Sequence, residues 1–147
     1  MPRPRSKLFP SPEDAENAFY DAFERADIAA MMAVWAETDD VVCVHPQGPR
    51  LLGFEAVRQS WMQIFSGGTQ LRVRTIEAHQ FVSQTLAVRA VVEVLAARNQ
   101  EGPTSSVCAT NVYELTEGGW RIVAHHASPM VPLTPAEEPA PATHTLH

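Results

Sequence analysis

The chain is 147 residues long, 45% hydrophobic and 19% charged, with a net charge of -6, which is about one domain's worth of globular sequence. The acidic balance, with no basic block outside Arg3 and Arg5, argues against nucleic acid as the partner. No apolar run approaches the roughly 20 residues that span a bilayer, and the basic N-terminus leads into no apolar stretch, so no secretory signal is read and a cytoplasmic setting is expected.

Residues 1–10 hold three prolines and three basic groups and read as a flexible arm. Ser11-Pro12-Glu13-Asp14 is a helix start: a serine N-cap, proline in the first turn, then acids that suit the positive helix end. Ala15, Ala18, Phe19, Ala22, Phe23 and Ala26 follow at helical spacing and make one apolar face. Asp27 caps a short second helix through Met31 and Trp35. A first strand runs from Val41 to His45. Gly53 opens a third helix, Phe54 to Phe65, with Val57, Trp61, Ile64 and Phe65 inward, and Gly67-Gly68 ends it.

From there the period changes to two. Strands are expected over Gln70 to Phe81, Leu86 to Ala97, Ser105 to Leu115 and Trp120 to Ser128, joined by short turns into an antiparallel meander. On the second of these, Leu86, Val88, Ala90, Val92 and Val94 form one face, while Arg89, Val91, Glu93 and Leu95 form a face too apolar for free exposure. Helices on one side of such a sheet make an α+β layer. The domain is expected over residues 11–130. From 131 to 147 the chain is a proline-rich flexible tail, since five prolines fall between Pro129 and His147. Cys43 and Cys108 both lie in apolar strand-like segments and read as buried free thiols of a reducing compartment.

His45 is the first candidate for chemistry. Pro46 cannot donate to a ladder, so pairing ends at the histidine, and the residue before proline is held extended. An imidazole fixed at a strand end beside a loop suits proton transfer or ligand binding. A curved sheet over helices can enclose a cavity, and its apolar lining is Phe19, Trp35, Trp61, Phe65, Val88 and Ala90. Polar groups among them are His45, Asn111, Ser128 and one of His125 and His126. Asn111 lies on a strand face that otherwise looks buried, with Tyr113 two residues on, so its amide needs a partner, either a ligand or a neighbouring backbone group. An apolar pocket with sparse polar groups suits a small organic ligand.

The order helix, helix, strand, helix and meander, with His45-Pro46 before Gly53, Asn111-Val112-Tyr113 and Gly118-Gly119-Trp120-Arg121-Ile122, resembles the nuclear transport factor 2-like superfamily. That superfamily includes SnoaL-like proteins, ketosteroid isomerase and the association domain of the calmodulin-dependent kinase. The resemblance runs over about residues 11 to 129. It implies a cone-shaped, cystatin-like α+β fold: a strongly curved, mostly antiparallel mixed sheet wrapped over three N-terminal helices. In ketosteroid isomerase an acid before a proline at the end of the first strand is the general base, and the matching position is His45. A protonated acid on the penultimate strand donates to the developing oxyanion, and Asn111 matches it. The tyrosine that supplies a second donor matches Phe19, which has no hydroxyl. On the last strand, His125 and Ala127 would face the cavity and His126 the opposite side.

The resemblance also implies a homodimer paired through the sheet, with Val91, Leu95 and Ile122 covered and His126 and Arg89 at the interface. No metal set is expected, because His125 and His126 are adjacent in a strand and point to opposite faces, and no cofactor is implied. Two classes of function follow. One is a SnoaL-like ligand-binding protein doing proton transfer, cyclisation or hydration on a small carbonyl compound, with His45 as base and Asn111 as polariser. The other is a non-catalytic dimeric binding or assembly module.

Overall fold

A computed structural model describes residues 9–68, 70–98 and 104–131. Three helices, α1 (Pro12–Arg25), α2 (Ile28–Val34) and α3 (Phe54–Phe65), accompany six strands. The strands are β1 (Val42–Val44), β2 (Arg50–Leu52), β3 (Leu71–Val82), β4 (Leu86–Ala97), β5 (Ser105–Thr116) and β6 (Gly119–Pro129). They form one sheet in the order β2-β1-β6-β5-β4-β3. All neighbours are antiparallel except β1 and β6, which run parallel. This is the cone-like α+β arrangement expected, with residues 1–8 of the arm and most of the tail lying outside the described residues. Phe9 departs from the expected flexible arm, since its side chain is buried in the core and its O accepts from the Trp120 N–H at 2.9 Å.

Local chemistry sets the helix starts. Asp14 N–H donates to Ser11 Oγ at 3.0 Å, and Ala30 N–H donates to Asp27 Oδ1 at 3.0 Å, so both predicted caps are formed. Gly53 has φ of +92°, which only glycine adopts freely, and its N–H donates to Val41 O at 2.8 Å. That turn starts α3 directly beside β1. The core between helices and sheet holds Phe19, Met31, Trp35, Val57, Trp61 and Ile122.

The structure corrects several expectations. Residues 50–52, expected as loop, instead form β2, which pairs antiparallel with β1 at the sheet's outer edge. A strand of three carries too little periodicity to be seen in sequence. The faces of β4 are reversed with respect to the expected lining. Ala87, Val91 and Glu93 are buried, and Val88 and Ala90 alternate with them on the outer side. Both faces of β4 carry valines, so alternation alone could not choose between them. Val91 and Ile122 are buried within this chain and Leu95 packs on its core, so these three do not form an outer patch. Cys43 is buried as expected, but Cys108 is exposed on the outer face.

Candidate active site

A stripe on α1, spaced four residues apart, carries Glu16, Tyr20 and Glu24, and all three reach the sheet. The Glu16 carboxylate accepts from Arg89 Nε at 2.8 Å, Asn111 Nδ2 at 3.1 Å and the Tyr113 hydroxyl at 2.6 Å. The Tyr20 hydroxyl donates to Glu93 Oε2 at 2.7 Å and accepts from Asn111 Nδ2 at 2.9 Å. Glu24 accepts from the Val73 N–H at 3.4 Å and from Arg98 Nη2 at 3.3 Å. The inner part of this network is closed to water: Asn111 is 0% exposed, His125 and Glu93 2%, and Glu16 4%.

Asn111 is the hub. Its two amide hydrogens go to Glu16 and Tyr20, so its Oδ1 must accept, and His125 Nδ1 lies 2.6 Å away. An amide oxygen carries no proton, so His125 Nδ1 donates and its Nε2 holds the lone pair. Burial first, then the nearby His45 and His126, pushes the His125 imidazole down to about 3, so it is neutral at pH 7.

His45 sits just past β1, where Pro46 ends the ladder. Its ring turns inward, edge-on to Trp61 at 4.8 Å between centroids and 6.3 Å from the His125 ring. His45 Nε2 is 3.0 Å from Ser60 Oγ. The single Ser60 hydroxyl proton is directed to Val57 O at 2.7 Å, so His45 Nε2 carries the donated proton and Nδ1 is the free base. Burial lowers the His45 pKa from its ordinary value, which also keeps this imidazole neutral. The Cys43 thiol lies 3.6 Å from His45 Nε2; burial, then Glu93, pushes it up to about 12, so it is a thiol and no nucleophile at neutral pH.

The structure therefore brings His45, His125, Trp61 and Phe19 together, joins His125 to Asn111, and links Tyr113 to them only through the Glu16 carboxylate. Phe19 lies 5.0 Å from the His125 ring, and Trp61 lies 5.5 Å from Phe65. Trp35 is buried 6.4 Å from Phe19, and Ala127 lies on the inner face as expected. His45 does not touch Asn111; His125 stands between them. Val88 and Ala90 lie on the other side of the sheet from this cluster. His126 is exposed on the outer face, and Ser128, also exposed, is away from the inner groups. Arg89, expected at a dimer interface, instead points inward to Glu16. Among the described residues, no group of three or more His, Cys, Asp or Glu could hold a metal ion.

Glu16, Tyr20, Glu93 and Ser60 were missed as site residues. Their signal was present: Glu16, Tyr20 and Glu24 repeat every four residues, and Arg89/Glu93 and Asn111/Tyr113 repeat with the strand period. One position on from Phe19, the Tyr20 hydroxyl contacts Asn111. A separate cleft of about 670 Å³ opens outside the network, between the α2–β1 loop and the β5–β6 hairpin. Ala36, Thr38 and Val123 line it together with Glu37, Asp40, Glu114, Glu117 and Arg121, and none of the expected site residues reaches it.

Comparison with known proteins agrees with this architecture. A solved structure from Thiobacillus denitrificans, described as a candidate calcium/calmodulin-dependent protein kinase type II association domain, is 41% identical. It superposes with a TM-score of 0.77, covering 86% of this chain and 100% of that one. A candidate dehydratase of the NTF2-like family from Streptomyces avermitilis is 30% identical, with a TM-score of 0.73 over 80% of this chain and 92% of that one. The F-box protein SKIP8 of Arabidopsis thaliana is 30% identical over 115 residues, which is 77% of this chain and 47% of that protein. The chain thus spans about half the length of that curated relative. The SnoaL-like domain family model matches residues 13–132, and with the NTF2-like fold described above this places the chain in that family: it is a member of the SnoaL-like domain family.

Proposed function

We propose that the domain binds a small, largely apolar organic molecule bearing an oxygen function beside His45, His125 and Trp61, and that the His45 imidazole moves a proton on it. The observation that carries this reading is the pair of neutral imidazoles with their protons already committed elsewhere. His45 Nδ1 remains as the base; the His125 ring lies 6.3 Å away, neutral and too weakly basic to take a proton at neutral pH. The fully buried Trp61 indole N–H, like that of Trp35, has no hydrogen-bond partner among the described residues. A buried donor without a partner is unusual, and a ligand oxygen would supply the missing acceptor. Proton transfer on a carbonyl compound, as in isomerisation, cyclisation or dehydration, fits one imidazole base and one N–H donor. The similarity to a candidate dehydratase supports the same class. Asn111 then acts through His125 by holding its tautomer. A cytoplasmic setting belongs to this proposal and suits the two free thiols.

Organic extraction of the purified protein followed by mass spectrometry tests for a retained ligand. Deuterium uptake from heavy water at the α-carbon of a panel of small cyclic ketones tests proton transfer. Exchange by the wild type that is lost in His45→Ala supports the reading. No retained compound, no exchange and unmoved His45, His125 and Trp61 resonances with every ketone would remove it.

A second reading has its own support. The outer sheet face presents Phe81, 73% exposed, with half-buried Val88, Val92, Val94 and Val112 beside it. An apolar face of this kind is a natural pairing surface. It fits a homodimer through the sheet, and the 41% identity to a candidate kinase association domain fits a non-catalytic assembly module.

A further inference from the structure

Among the described residues, the network under α1 holds two buried carboxyl groups, Glu16 and Glu93, and the Arg89 guanidinium. The guanidinium is already placed: its Nε donates to Glu16, and its Nη1 donates to Gln80 Oε1 at 2.6 Å. Glu93 is contacted by no cation among the described residues. Its one hydrogen-bond donor is the Tyr20 hydroxyl. The groups around it are Tyr20 and Glu16 from α1, Cys43 from β1, Arg89 on its own strand, and Asn111 on β5, which leads to His125 on β6. Asn111 and Tyr113 spend their donors on Glu16 and Tyr20. An unpaired carboxylate in such surroundings is strongly disfavoured.

We propose that Glu93 is a proton-operated latch on the interior: protonated, it lets α1 lie closed on the sheet, and on losing its proton to solvent it loosens α1 and opens the space beneath it. The reason α1 moves is the placement of the links. Glu16 and Tyr20, one turn apart on α1, are its buried polar ties to β4 and β5, and Tyr20 is bonded to Glu93 itself. The carboxylate can regain water with least disruption by lifting that turn, because β4 is held on both sides by long antiparallel ladders. Burial, the largest influence, and the neighbouring Glu16 push the Glu93 carboxyl up to about 7, which puts the latch in the physiological range. Lifting α1 would also uncover Phe19 and, behind it, Trp61 and His125, so the latch governs access to the interior whatever compound enters it.

Hydrogen exchange of the α1 amides from Glu16 to Phe23 tests this without any ligand. Wild type and Glu93→Gln are compared at each pH, so intrinsic exchange chemistry and the shared His125 contribution cancel in their ratio. In the wild type, opening releases the Glu93 proton. The ratio of opening constants, wild type over variant, is expected to rise about tenfold per pH unit from about pH 5 to neutrality and then level off. A flat ratio overturns the latch. So does a rise shared equally by every element of the sheet, because that would be global unfolding and not α1 opening. If the variant does not fold, wild-type protein carrying 13C at the glutamate carboxyls decides the matter. One carboxyl titrating near neutrality, with α1 amide shifts following the same midpoint, supports the latch. All carboxyls titrating below about pH 5.5 overturn it.

Discussion

The His125 imidazole and the Asn111 side-chain amide form a buried hydrogen bond, Nδ1 to Oδ1 at 2.6 Å, and that bond sets the orientation of both groups. With its two amide hydrogens on Glu16 and Tyr20, Asn111 has no unused donor. The residue is therefore a structural junction as well as a site component.

Asn111→Ala is expected to be strongly destabilising and not a clean functional probe. It leaves the His125 N–H without its acceptor and removes one donor each from Glu16 and Tyr20. Each orphaned buried group costs about 1–3 kcal/mol, so a loss of about 3 kcal/mol or more is expected. Urea unfolding measures it, and a loss below about 1 kcal/mol would mean that water or a shifted side chain replaces the amide.

Stability against pH is expected to be nearly flat between pH 4.5 and 6.5, for a specific reason. His125 has a depressed folded-state pKa of about 3 against 6.5, so its contribution is present above 6.5 and falls as pH drops towards 3. Glu93 has a raised folded-state pKa of about 7 against 4.5, so its contribution is present below 4.5 and is lost as pH rises through 7. Each slope is about 1.4 kcal/mol per pH unit, and the two have opposite sign. His125→Gln should uncover falling stability with rising pH, and Glu93→Gln rising stability. Urea midpoints at a few pH values check this; parallel curves for the two variants would contradict it.

Val92→Glu is expected to abolish self-association without disturbing the interior. Val92 lies on the outer face of β4, opposite Ile76 and Cys108 in register, and a like-charged pair across a twofold interface repels. Light scattering at micromolar concentration should give a dimer for the wild type and a monomer for the variant. A monomeric wild type would remove the pairing argument.

Truncation after Val131 is expected to leave the melting temperature within a few degrees. Met130 N–H, donating to Ser106 O at 3.0 Å, makes the last described backbone bond of the chain, and residues 132–147 are too rich in proline and small residues to bury much area. Differential scanning calorimetry of the two lengths checks this, and a large drop would show the tail packing on the domain.

Much of the architecture could be read from residue order. Helix caps at Ser11 and Asp27, the Gly53 turn and the period-two segments after Gly68 are local signals, and local signals act between residues a few positions apart. They also placed His45 at a strand end, because Pro46 acts on its immediate neighbour. What residue order left open was which side of a strand faces the core when both sides are apolar. On β4, Val88 and Val91 are equally suitable for burial, and only the packing of α1 over Arg89 and Glu93 chose between them. The site was hidden for the same reason. Glu16 meets Arg89, Asn111 and Tyr113 across 73 to 97 positions of chain, and each of these residues alone reads as an ordinary surface or core side chain. Their function as one network exists only where the curved sheet brings β4, β5 and β6 under a single turn of α1 and shuts out the water that would otherwise satisfy them.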